Sequence, residues 1–145
     1  MNWGRAYIGL DVSDASTYDL HQANLLLPKV RGLVAQIVEL AAQQPELQDQ
    51  VRIAEYKMRR PAAGEADSDD FERSTSALSA AERDLITALE ALAALGVSLK
   101  DARSGLVDFL SWRDGELVEL CWRLGEDQIE YWHPLGAGFA GREPV

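Results

Sequence analysis

From Leu26 onward, apolar residues recur in alternating steps of four and three: Leu26, Val30, Leu33, Ile37 and Leu40, resumed by Leu47, Val51, Ala54 and Met58. That rhythm lays one apolar stripe along a helix and suits a coiled-coil-like seam against a second helix. Gln44 interrupts the stripe, and Pro45 stands beside the gap. An interior proline removes an amide donor and crowds the preceding turn, at about 3 kcal/mol. The helix therefore breaks there and restarts, or bends and keeps its seam. Pro28 poses a similar choice, between a kink and the first turn of a second helix. Upstream, Asp19 followed three residues later by Gln22 is a capping box, so the helical region starts near Asp19.

A second stripe runs through Phe71, Thr75, Leu78, Leu85, Leu89 and Leu92, flanked by Ala77, Ala81, Ala88 and Ala91, which let another helix approach closely. The stretch from Pro61 to Ser68 reads as the loop between the helices, with Ser68 or Asp69 as the cap of the second. Gly96 is placed to end it, since glycine accepts the left-handed backbone without a Cβ clash. Two matched seams joined by a short loop predict an antiparallel hairpin over about 19–95.

Beyond Gly96 the period changes from helical to alternating. Leu106 to Leu110 is a strand candidate, Asp114-Gly115 is a strong turn signal, and Val118, Leu120, Trp122 and Leu124 alternate strictly. Gly125 to Gln128 reads as another turn, and Ile129 to His133 as a last strand stopped by Pro134. Near the N-terminus, Ile8, Leu10 and Val12 suggest a short strand. The expected fold is α+β in a single domain over 1–145. A long antiparallel helical hairpin is followed by a small antiparallel β-meander over about 97–134 and an irregular Gly-rich tail over 135–145.

Composition narrows the function classes. The chain has 145 residues, enough for one ordinary domain, and its net charge of -10 repels phosphate backbones and anionic membranes at long range. Lys57, Arg59 and Arg60, with nearby Arg52, are the best candidate for a basic patch, but they close a helix, where cations complement exposed carbonyls. No nucleic-acid or membrane partner is expected. Cys121 is the single cysteine, which excludes an intrachain disulfide and any multi-cysteine zinc site. The segment Met1 to Arg5 lacks the pattern of a signal peptide, and no apolar run approaches bilayer length, so cytoplasmic residence is expected.

Chemistry-bearing residues concentrate in the β segment. Asp108, Glu126 and His133 are the candidate metal ligands, with an optional thiolate from Cys121. Glu126 and His133 also make a drawable acid/base pair, although nothing beside them resembles an activated nucleophile. Gly136 to Gly141 matches the GxGxxG fingerprint, yet too few residues follow for the helix and acidic partner that dinucleotide binding needs. No cofactor is expected beyond that divalent metal, no catalytic residue is assigned, and the balance leans away from an enzyme. Asn24, in an otherwise apolar helix start, is read as a structural hydrogen-bonder that reaches the β segment or fixes helix register.

Several runs carry a family resemblance that spans nearly the whole chain. His21 to Pro28, Val97 to Asp101, Gly105 to Phe109, Leu120-Cys121-Trp122-Arg123-Leu124-Gly125-Glu126, Tyr131-Trp132-His133 and Gly138 to Arg142 resemble domain of unknown function 2203, an uncharacterised prokaryotic family. The departures are His21-Gln22 where the family has two glutamates and Leu110 where it has proline. The resemblance implies a fold and a bacterial cytosolic setting, and brings no activity or catalytic residues with it. The expected function is a non-enzymatic, self-associating interaction or regulatory module. Leu27, Val34, Val38, Ala41, Leu85, Ile86 and Leu95 exceed what two helices bury, so a homodimer through the hairpin is the expected cover. The alternative is a metal- or small-molecule-binding protein using the Asp108/Glu126/His133 region.

Overall fold

The computed structural model describes residues 16–145; the strand expected at Ile8–Val12 lies outside them. Two helices, α1 (Leu20–Met58) and α2 (Glu65–Ala94), pack against each other as an antiparallel hairpin. Five strands follow: β1 (Val97–Asp101), β2 (Leu106–Arg113), β3 (Glu116–Arg123), β4 (Tyr131–Pro134) and β5 (Glu143–Pro144). They form one antiparallel sheet in sequential order, so the α+β meander is as the alternation predicts.

The capping box at the start of α1 is present, with Gln22 N–H donating to Asp19 Oδ1 at 2.7 Å and Asp19 N–H to Gln22 Oε1 at 3.0 Å. The helix then runs unbroken for 39 residues with both Pro28 and Pro45 inside it. Beside the second proline, the Gln44 side chain donates to the Leu40 carbonyl at 3.3 Å, so the residue that interrupts the stripe serves the helix backbone. The start of α2 differs from the expected cap at Ser68 or Asp69. It begins at Glu65 after Gly64, whose N–H is taken by the Asp67 carboxylate at 3.1 Å. An acidic first turn complements the exposed amides there and extends the helix by a turn. At the other end, Gly96 adopts φ +76° just past the helix, as its placement predicts.

One face of the sheet packs on the proximal half of the hairpin. Ala23, Leu27, Val30, Val34, Ile37, Ala88 and Leu92 from the helices meet Val97, Leu99, Val107, Phe109, Leu120, Trp122 and Ile129. Leu27 and Val34, expected to need a partner copy as cover, are instead buried beneath the chain's own sheet, and Val38, Leu85 and Leu95 pack against the same core. Gly105, in the β1–β2 turn, permits the approach: its φ is +74°, and a Cβ there would lie 2.9 Å from Val34 Cγ1. Asn24 ties the layers together by accepting the Ile129 N–H at 2.8 Å, the cross-layer role expected of it. The tail is more ordered than composition suggested. A 3₁₀ turn at Phe139–Gly141 leads into β5, which pairs with β4.

Candidate functional site

Period-two alternation sends every second strand residue away from the helices. Since Val107, Phe109, Leu120 and Trp122 enter the core, Asp108, Glu119 and Cys121 occupy the opposite face. The two-residue turn at Asp114-Gly115, with φ of +51° and +80°, sets the β2–β3 register and brings Asp108 directly across from Cys121. The β3–β4 register then pairs Glu119 with His133 and Cys121 with Tyr131. On β1, Ser98 is paired with Asp108.

Although it faces away from the hairpin, this patch is buried: Asp108 and His133 are 1% exposed, Cys121 0%, and Ser98 and Glu119 2%. One ligand atom each from Asp108, Cys121 and His133 lies within 4.8 Å of the others. His133 Nε2 is 3.1 Å from Asp108 Oδ1, and Nδ1 is 2.8 Å from the Pro134 carbonyl. A carbonyl only accepts, so Nδ1 carries a proton and donates it. Nε2 then meets the carboxylate either through a second proton or through an ion in its place.

Burial pulls the His133 pKa down, but hydrogen bonds to Asp108 and the Pro134 carbonyl, with the negative charges of Asp108 and Glu119, outweigh it and hold the imidazole above its ordinary value. Burial, joined by the Asp108 charge, pushes the Cys121 thiol up to about 12. Burial and Asp108 likewise raise the Glu119 carboxyl. Among the described residues, the Ser98 hydroxyl and Glu119 Oε2 are buried without a hydrogen bond, the latter beside Lys100 Nζ at 3.5 Å.

Of the expected ligand set Asp108, Glu126 and His133, the structure joins Asp108 to His133 and brings in Cys121. Glu126 is engaged elsewhere. Its two oxygens take the Arg142 guanidinium at 2.6 and 3.0 Å, and Oε1 also accepts the Arg123 N–H at 2.7 Å. Burial alone would raise this carboxyl, but Arg142 and the Arg123 amide hold it below the usual range. The acid/base pairing of Glu126 with His133 is accordingly not formed. Arg142, which sequence reasoning left in an irregular tail, also donates to the Cys121 carbonyl at 3.2 Å and lies over Tyr131 and Phe139 at 4.2 and 4.5 Å. It clasps the tail to the sheet. The GxGxxG letters fall in this tail and lead into β5 rather than a helix, so they hold no dinucleotide cradle.

Fold and site together define an α+β protein in which a helical hairpin backs an antiparallel sheet, with a buried carboxylate–thiol–imidazole cluster on the sheet's far face. The chain belongs to the family described as Uncharacterized conserved protein (DUF2203), whose model matches residues 16–145. No curated protein and no solved structure matches it. Among the described residues, no helix is long and apolar enough to cross a membrane.

Proposed function

We propose that this chain is a metal-binding protein whose centre is Asp108, Cys121 and His133, with a divalent ion of zinc's class as its ligand. The supporting observation is the convergence of these three side chains, from three adjacent strands, within 4.8 Å. An ion bound at roughly 2.0–2.3 Å holds tetrahedral ligands about 3.3–3.8 Å apart, so a pair at the 4.8 Å limit closes by about 1 Å while His133 and Asp108, at 3.1 Å, part slightly. A thiolate, an imidazole and a carboxylate suit a borderline ion, and their two negative charges balance it. The Pro134 carbonyl plays the orienting part that an outer hydrogen bond plays for metal-bound histidines, fixing the tautomer that presents Nε2.

Binding displaces the Cys121 proton and, where it is present, the second His133 proton. Apparent zinc affinity is therefore expected to rise with pH. The rise is up to about 100-fold per unit below the raised His133 pKa, and about tenfold per unit above it. Titration calorimetry in buffers of different ionisation enthalpy measures the protons released. A chain that takes up no stoichiometric zinc, and whose melting temperature ignores chelator, would refute the proposal.

One observation favours a second reading, self-association through the hairpin. The distal half extends past the sheet, leaving Ile53 54% and Tyr56 70% exposed beside a groove of about 370 Å³ lined by Ala54, Lys57, Ser74 and Ala77. Sedimentation at micromolar concentration is expected to show a dimer that Tyr56→Asp weakens; a strict monomer removes this reading.

A further inference from the structure

We infer that Glu119 is the fourth ligand of the proposed centre, closing it as a four-coordinate site with no position left for a substrate. This rests on the reading of Asp108, Cys121 and His133 as a metal site, and adds a residue that their mutual distances do not include. Glu119 precedes Cys121 by two positions on β3 and so shares its face, and it stands directly across from His133 on β4. Same-face neighbours two apart on a strand are separated by roughly 6.6 Å. A side chain with two methylenes spans that gap to an ion held by the cysteine sulfur.

The two carboxylate oxygens are in different conditions. Oε1 accepts the Gly136 N–H at 3.1 Å. Among the described residues Oε2 is buried with no hydrogen bond and has an ion pair to Lys100 Nζ at 3.5 Å. An ion pair at that distance leaves the buried oxygen without a hydrogen bond, and a metal ion on the same sheet face is a partner that its chemistry fits. Two carboxylates and a thiolate exceed a divalent ion by one negative charge, and the Lys100 ammonium lies 3.5 Å from Glu119 Oε2 on the side of that excess. Four protein ligands in a site this buried describe a centre that stabilises the fold, as structural zinc sites do, whereas catalytic zinc keeps one position open.

The test loads the full chain with Co²⁺, whose visible bands report coordination number and whose near-ultraviolet charge-transfer band reports the thiolate. Wild-type protein is expected to bind one equivalent with both the intense tetrahedral bands and the thiolate band. Glu119→Gln, nearly the same shape, is expected to keep the thiolate band, lose tetrahedral intensity as water enters, and bind more than about 100-fold more weakly, beyond the usual effect of an outer-shell change. Glu119→Leu carries the same expectation if the glutamine variant does not fold. An unchanged visible spectrum in a Glu119 variant overturns the inference, whatever its affinity, because the ligand set is then intact without it. Absence of any cobalt spectrum in wild-type protein overturns the underlying metal reading instead, and this inference with it.

Discussion

Replacing Trp122 with alanine is expected to destabilise the protein by about 3–5 kcal/mol, the range for removing a large aromatic from a packed core. Trp122 is fully buried on the inner face of β3, where it pairs with Val107 and packs against the α1 residues beneath the sheet. Two further interactions go with the ring. Its indole N–H donates to the Glu126 carbonyl at 3.0 Å, and the Arg31 guanidinium lies 5.7 Å from its centroid. Since whole domains are stable by only about 5–15 kcal/mol, this single change removes a large share of the total. Trp122→Phe keeps most of the buried area but leaves the Glu126 carbonyl without the indole, and is expected to cost about 1–2 kcal/mol. Urea titrations followed by circular dichroism measure both. A midpoint for the alanine variant within error of wild type would mean that the sheet does not rest on the hairpin through this residue.

Removing the imidazole of His133 has the second large effect, and it depends on pH. In metal-free protein, His133→Ala is expected to cost about 3–5 kcal/mol at pH 6, because deleting one member of a buried ion pair leaves the other's charge poorly compensated. The pair is 1% exposed on both sides, so solvent does little to screen it. The sign follows from the raised His133 pKa. A histidine held above its ordinary value contributes stability that is fully present below about pH 6.5 and is lost as pH rises through its folded pKa. The penalty is therefore smaller at pH 9 than at pH 6. Unfolding in chelator at both values tests this, and an equal penalty at the two would show that the imidazolium does not pair with Asp108. Under the proposed metal reading, adding zinc is expected to reverse the order for wild-type protein. A loaded site would take the neutral imidazole, so stabilisation by metal is expected to grow with pH and to reach about 2.7 kcal/mol when free zinc is 100 times its dissociation constant.

More of the candidate site is legible in the sequence than the expected ligand set Asp108, Glu126 and His133 takes up. In a hairpin closed by the two-residue turn Asp114-Gly115, residues equidistant from the turn face each other, and Asp108 and Cys121 are both six positions away from it. The strict alternation that sends Val118, Leu120 and Trp122 inward sends Glu119 and Cys121 outward. Together these two facts place a carboxylate against a thiol before any coordinates are known. Glu126, expected among the ligands as one of the polar residues concentrated in the β segment, sits in the turn after β3, where period-two reasoning lapses. Its true partner, Arg142, lies 16 residues on, in a tail whose composition carries no pairing signal.

The hairpin, the turn at Asp114-Gly115, the caps at Asp19 and Gly96 and the parity of β2 and β3 follow from local rules, because propensity, period and capping act over a few residues. Tertiary structure alone decided three things. It carried α1 through Pro45 without a break, where the seam with α2 outweighs one lost hydrogen bond. It covered Leu27 and Val34 with the chain's own sheet rather than a second copy. It set the β3–β4 register that delivers His133 to Asp108, since a loop longer than a tight turn leaves that alignment to side-chain packing and to distant anchors such as Asn24.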